Sequence, residues 1–164
     1  MAQLTIYVET TIVSYLTARP SRDLIIVGRQ ASTREWWERA RIDHHLVISA
    51  EVLKEASRGD PLAAQARMAV LADLPILDLS PEVETLAAVY REALGLPDRA
   101  APDATHLAAA SIHRVDAIVS WNCSHIASIQ VQRIISGINQ RLGLPVPFLA
   151  TPEMLLGEEA SDVP

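Results

Sequence analysis

Apolar residues along this chain fall into two patterns that alternate: short β-branched runs, and longer stretches with helical spacing. The run Leu-Thr-Ile-Tyr-Val at 4–8 stops at polar Glu9, Thr10 and Thr11, as a buried strand would. Thr10 or Thr11 is then expected to cap a helix over 12–17 that ends near Arg19-Pro20. Ser21 is the expected cap of a longer helix, 22–43, with Trp36 and Trp37 on or beside its buried face. A second strand is predicted at 46–48, with Ser49 as the natural cap of a helix over 50–58 that Gly59-Asp60-Pro61 closes. A helix at 62–74, a strand at 76–79 and a helix opened by Ser80-Pro81 and reaching 94 come next. A loop at 95–102 leads to an alanine-rich helix, 103–114, and then a fourth strand, 117–121, that ends at Asn122. The pattern closes with a helix at 131–142, a strand at 146–149 and a terminal turn at 151–156.

Strands alternating with helices predict an α/β fold with a mainly parallel sheet covered on both faces. The 164 residues suit one domain, expected over 1–156, with an acidic frayed tail at 157–164. Hydrophobic residues make up 49% of the chain and charged ones 21%, enough apolar surface for a packed core. Cys123 is the single cysteine, so no internal disulfide forms and a reducing cytoplasm is the expected setting. The apolar run near the start is short, is interrupted by Thr5 and follows no basic stretch, so neither secretion nor membrane spanning is expected.

The net charge of -6 argues against wrapping duplex nucleic acid through a basic surface. A nucleic-acid enzyme stays possible, because carboxylates gathered around a cation carry positive charge that the formal count omits. Lys54 is the only lysine among 14 basic residues, and a compositional bias explains that arginine excess more simply than phosphate contacts do.

Ligands of an open parallel sheet bind outside the carboxyl ends of its strands. Strand one delivers Glu9 there, strand two delivers Ser49 and the helix carrying Glu55, and strand four delivers Asn122. Asp103 opens the helix before strand four, which a right-handed crossover brings to the same edge. Three carboxylates and an amide can therefore converge, and like charges there raise one another's pKa unless a cation compensates them. Oxygen ligands select magnesium or manganese over zinc, and such a cation activates water toward a phosphodiester.

Each residue also has a structural reading. Asp103 can serve as an N-cap, Asn122 can cap the turn after strand four, and Glu9 can be a solvated strand end. Glu55 lies near a helix C-terminus, where the macrodipole disfavours a negative charge. Thr10, Thr11 and Ser120 lie beside the proposed site, and Arg22 is expected to pair with Asp23 at the surface. His106 and His125, each three residues after a proposed ligand, read as packing or helix-surface histidines. With no second cysteine and no His-x-x-x-His pair, zinc is not expected. No glycine-rich dinucleotide or phosphate loop and no Gly-x-Ser-x-Gly elbow is present.

Four segments carry a resemblance: Tyr7-Val8-Glu9-Thr10-Thr11, Ser49 with Glu55 six residues later, Pro102-Asp103-Ala104-Thr105-His106-Leu107-Ala108-Ala109-Ala110, and Ile118-Val119-Ser120-Trp121-Asn122-Cys123-Ser124-His125-Ile126. In this order, over 4–126, they resemble a PIN domain of the VapC toxin type. The resemblance implies a three-layer α/β sandwich around a central, mainly parallel sheet of about five strands. It implies a magnesium- or manganese-dependent endoribonuclease, the toxin of a type II toxin-antitoxin pair, held inactive by a small cognate antitoxin and able to self-associate. The catalytic acids carry over onto Glu9, Glu55 and Asp103, with Asn122 in the fourth position, and Glu9, Asp103 and Asn122 are the expected metal ligands. Most PIN domains have Asp where this chain has Glu9, and commonly Asp where it has Asn122. The longer carboxylate and the lost charge imply weaker metal binding, so a PIN-fold module that binds RNA or antitoxin without cutting is the alternative. A related enzyme acting on DNA is a more distant one.

Overall fold

The computed structural model describes residues 2–159. Its centre is a five-stranded sheet in the order β3-β2-β1-β4-β5, formed by β1 (Thr5–Val8), β2 (His45–Ser49), β3 (Ile76–Leu77), β4 (Ala117–Val119) and β5 (Phe148–Ala150). All four pairings are parallel, and Tyr7 stands opposite both Val47 and Ile118 in register. Successive strand residues face opposite sides of a sheet, so a strand buried at every position is covered on both. Ile6, Tyr7 and Val8 are at most 1% exposed, and Ala117, Ile118 and Val119 are likewise buried. The expected two-sided α/β architecture is the observed one.

Eight α-helices surround the sheet among the described residues: α1 (Thr10–Thr17), α2 (Leu24–Asp43), α3 (Ala50–Ala56), α4 (Pro61–Leu71), α5 (Pro81–Leu94), α6 (Ala101–Ile112), α7 (Ile129–Leu142) and α8 (Pro152–Glu159). Helix α1 packs on α2, α3 and α4, while α5 packs on α6 and touches α7. A buried network of Tyr90, Ser111 and Asn139 fastens α5, α6 and α7, with Asn139 Nδ2 donating to Ser111 Oγ at 3.0 Å and to the Pro145 carbonyl at 2.8 Å. No helix among the described residues is long and apolar enough to cross a membrane.

Two helix starts differ from the sequence expectation for one reason: an acid within two positions offers a better cap. Helix α1 is capped by Glu9 rather than by Thr10 or Thr11. Helix α2 is capped by Asp23, whose Oδ1 accepts from the Ile25 and Ile26 amides at 2.9 and 3.1 Å, and not by Ser21. That carboxylate is thereby committed to the backbone, and no Arg22–Asp23 ion pair forms among the described residues. Ser49 occupies the cap position of α3 but makes no capping bond with its side chain. The expected loop at 95–102 contains a single 3-10 turn, Asp98–Ala100, and α6 begins directly after it. Strand β3 shrinks to two residues and β4 to three. The expected terminal turn is the helix α8 through Glu159; residues 160–164 of the expected acidic tail lie outside the described residues.

The chain runs outward from β1 in both directions, to β2 and β3 on one side and to β4 and β5 on the other. The crevice above the carboxyl ends of β1 and β4 is therefore a topological switch point, the place where such sheets bind ligands.

Candidate metal centre

Glu9 leaves the carboxyl end of β1 and folds back over the first turn of α1. Its Oε2 accepts from the Thr11 amide at 3.0 Å, the Thr11 hydroxyl at 2.5 Å and the Ser120 hydroxyl at 2.7 Å. Glu9 is only 3% exposed, so it is no solvated strand end. The positive end of the α1 dipole and three donors stabilise its charge in that position. All three donors use one oxygen, and Oε1 accepts no hydrogen bond from the described residues.

Glu55 approaches from the last turn of α3. Its Oε1 accepts from Thr10 Oγ1 at 2.8 Å and pairs with His106 Nε2 at 2.6 Å, while Oε2 again carries no hydrogen bond among the described residues. His106 lies on α6 and is completely buried. Its Nδ1 lies 2.7 Å from the Tyr7 hydroxyl, which lies 2.7 Å from Ser49 Oγ. A carboxylate can only accept, so Nε2 carries the proton that faces Glu55 whichever charge state the ring adopts. The chain Ser49, Tyr7, His106, Glu55 thus ties the ends of β1 and β2 to α3 and α6.

The charges follow from this geometry. Burial alone would raise the Glu55 pKa, but the His106 hydrogen bond and charge, together with Thr10, outweigh it and hold the carboxyl below its ordinary value. Burial would likewise lower the His106 pKa, yet the bond to Glu55 and the fields of Glu9, Glu55 and Asp103 leave it raised. Burial pushes the Tyr7 hydroxyl well above its usual range, with the surrounding carboxylates adding to that, so it stays a neutral donor. The macrodipole penalty expected for Glu55 is met by a buried imidazole.

Asp103 sits in the first turn of α6, two residues past its start, so it is not the helix cap; Ala100 holds that position without a side-chain bond. Its Oδ1 accepts from Asn122 Nδ2 at 3.1 Å and its Oδ2 pairs with His125 Nδ1 at 2.9 Å. Asn122 does cap its turn, its Oδ1 accepting from the His125 amide at 3.0 Å. That bond to a backbone donor fixes which end of the amide is oxygen, so the NH2 group faces Asp103. Ser120 joins the two halves of the crevice, since its Oγ donates to Glu9 and accepts from the Asn122 amide at 2.9 Å.

Candidate ligand atoms of Glu9, Glu55 and His106 all lie within 4.8 Å of one another, a spacing able to hold a divalent ion. Because both ring nitrogens of His106 are engaged, its part in that group is to hold Glu55. The two unbonded carboxylate oxygens, Glu9 Oε1 and Glu55 Oε2, suit a hard oxygen-seeking cation, so the residues fit magnesium or manganese. Asp103 and Asn122 form the adjoining trio with His125 rather than part of that tight group.

His106 and His125 read from the sequence as packing or helix-surface histidines and Tyr7 as a strand residue, whereas the structure ties all three to the candidate acids; the Ser49 hydroxyl, expected at this edge as a helix cap, bonds to Tyr7 instead. The signals were present: His106 is three residues after Asp103 on one helix, hence on its face, and a tyrosine inside a buried strand requires a partner for its hydroxyl.

No family model matches the chain, and no curated protein matches it in sequence. Among solved structures, a chain of the crystal structure of VapBC2 from Rickettsia felis bound to a DNA fragment from their promoter matches with a TM-score of 0.59. The identity is 16%, over 90% of this chain and 98% of that one. Identity that low speaks for the fold alone, and the fold is PIN-like: an α/β sandwich with helices flanking a five-stranded parallel sheet.

Proposed function

We propose that this chain is a divalent-metal-dependent endoribonuclease of the VapC type, the toxin of a type II toxin-antitoxin pair. The observation that carries the reading is the convergence of Glu9 and Glu55 at the switch point of a PIN-like sheet, each with one oxygen fixed by donors and the other left unbonded. The four-segment resemblance to VapC toxins supports the same assignment.

In this reading Glu9 and Glu55 hold magnesium or manganese, with Asp103 beside them. When bound, the cation supplies an acidified water and offsets the charge that develops on the phosphoryl oxygens. Thr11 and Ser120 fix Glu9, and Thr10 and His106 fix Glu55, so neither carboxylate has to reorganise as the reaction proceeds. Asp103, oriented by Asn122 and His125, keeps a lone pair on each oxygen for cation or water.

The test is cleavage of single-stranded RNA by purified protein with magnesium or manganese, its loss on chelation, and its loss in Asp103→Asn with an unchanged circular-dichroism spectrum. Equal cleavage by wild type and variant overturns the assignment. One observation favours the alternative, a PIN-fold module that binds without cutting: the Asn122 oxygen already accepts from the His125 amide, leaving one uncharged lone pair at the fourth ligand position where an aspartate would offer a charged carboxylate. Wild-type protein that binds RNA yet never cuts it selects that alternative.

A protein partner is supported by the start of α2, where Leu24 and Ile25 are 86% and 71% exposed and continue into partly exposed Ile26 and Val27. Co-expression with the product of a short adjoining reading frame is expected to give a stable complex with suppressed cleavage.

A further inference from the structure

On the far side of Trp121 from its hydrogen-bonded backbone, one arginine is held in place with no ion-pair partner among the described residues. Arg29 lies on α2 with its Cζ 5.1 Å from the centre of the Trp121 ring, and its Nη1 points at the Tyr15 hydroxyl at 3.4 Å. Tyr15 and Trp121 pack on each other at 5.9 Å with their planes tilted by 50°. Trp121 is itself pinned: its indole donates to Thr33 Oγ1 at 2.8 Å, and that hydroxyl donates to the Arg29 carbonyl at 2.6 Å. No carboxylate pairs with Arg29 among the described residues.

The same tryptophan reaches the acidic site. Its backbone amide donates to Thr11 Oγ1 at 2.9 Å, and Thr11 Oγ1 donates to Glu9. Asn122 is the next residue in the chain. Glu153 on α8 acts on Arg29 electrostatically without forming an ion pair with it. Trp121 therefore links the arginine to the acidic site: its ring carries the Arg29 guanidinium, and its backbone, at the end of β4, is bonded to the Thr11 hydroxyl that holds Glu9.

We propose that Arg29, presented by Tyr15 and Trp121, is a binding site for an RNA backbone phosphate next to the scissile linkage. This rests on the ribonuclease reading above and names how that site takes its substrate. A guanidinium is planar and matches a phosphate with two parallel N–H donors. Stacking on an aromatic face leaves the edge donors free, and Tyr15 occupies only one of them. In a chain with a net charge of -6, a substrate strand has little general attraction to the surface, so a preorganised cation beside the acids has a large share of the work of positioning.

The test is the affinity of a fluorescein-labelled single-stranded RNA for the full chain, by anisotropy in calcium over a salt series, alongside cleavage kinetics in manganese. Arg29→Gln is expected to weaken binding about tenfold and to flatten the salt dependence by about one released counterion. Its KM is expected to rise with a smaller change in kcat, while the manganese-induced shift in melting temperature stays at the wild-type value. Arg29→Lys, which keeps the charge and loses the fork, is expected to fall between. Tyr15→Phe is expected to shift KM in the same direction as Arg29→Gln and less far. Wild-type affinity and salt slope in Arg29→Gln overturn this inference while an active wild type leaves the ribonuclease reading standing. A wild type that neither binds nor cuts RNA overturns both.

Discussion

The imidazole Nε2 of His106 stands 2.6 Å from Oε1 of Glu55, joining a fully buried ring on α6 to a carboxylate at the end of α3. Removing the ring leaves the Tyr7 hydroxyl with Ser49 as its remaining partner and Glu55 with Thr10 as its remaining donor. His106→Leu is therefore expected to lower stability by about 3 kcal/mol, read as a shift of the urea midpoint at constant slope. Tyr7→Phe, which leaves the His106–Glu55 bond in place, is expected to lose about 1 kcal/mol. The double variant should lose less than the sum, since both act on one network. Additive losses would separate the tyrosine from the pair.

The same pair sets a pH window. The Glu55 pKa is depressed in the fold, so its contribution is present above the unfolded value of 4.5 and is lost as pH falls through the folded one. The His106 pKa is raised, so its contribution is complete below the unfolded value of 6.5 and is lost as pH rises through the folded one. Stability is expected to peak between the two limits and to decline on the alkaline side as the imidazole gives up its proton. Urea denaturation across that range checks this, and in His106→Leu the alkaline decline should be absent. A variant that retains the full decline assigns it to another group.

Glu9 has two separable tasks, capping α1 and offering a free oxygen. Glu9→Gln keeps an oxygen for the amide of Thr11 and the hydroxyls of Thr11 and Ser120 but removes the charge. Stability is expected to stay within about 0.5 kcal/mol of wild type, because the cap bonds survive. Manganese affinity, measured by calorimetry, should fall by about tenfold or more through the lost ligand charge. An unchanged affinity would place the cation away from Glu9.

These two carboxylates mark where the sequence is legible and where it stops. The order of elements follows from local patterns, because β-branched runs such as Ile6 to Val8 and caps such as Ser80 act within a few residues. The strand ends bring Glu9, Glu55 and Asp103 to one edge for the same reason. Long-range pairing was not legible. Ser49 has the residue type and position of a helix cap, yet its hydroxyl turns to Tyr7, 42 residues away, because a buried phenol has the greater need. His106 reads as a packing histidine on its own helix, and only the fold brings Glu55 to it across 51 positions. Asp103 reads as a cap, whereas the helix starts two residues earlier and leaves the carboxylate to Asn122 and His125.

Asn122 is the position where the charge balance of the crevice can be tested without metal. Its amide NH2 donates to Asp103 Oδ1 at 3.1 Å, so the side chain neutralises part of a half-buried carboxylate whose other partner is His125. Asn122→Asp retains the oxygen that accepts from the His125 amide and turns the facing group from a donor into a second anion. With the Asp103 side chain only 14% exposed, solvent screens that repulsion poorly. The metal-free variant is expected to be less stable by about 1–3 kcal/mol, or to take up a proton shared between the two carboxyls. Manganese should reverse the order: an added ligand charge tightens binding, and saturating cation stabilises the variant by more than it stabilises wild type. Melting curves with and without manganese measure both effects on one sample. A variant as stable as wild type without metal, and no more responsive to it, would show that the Asn122 amide is a turn cap and nothing more.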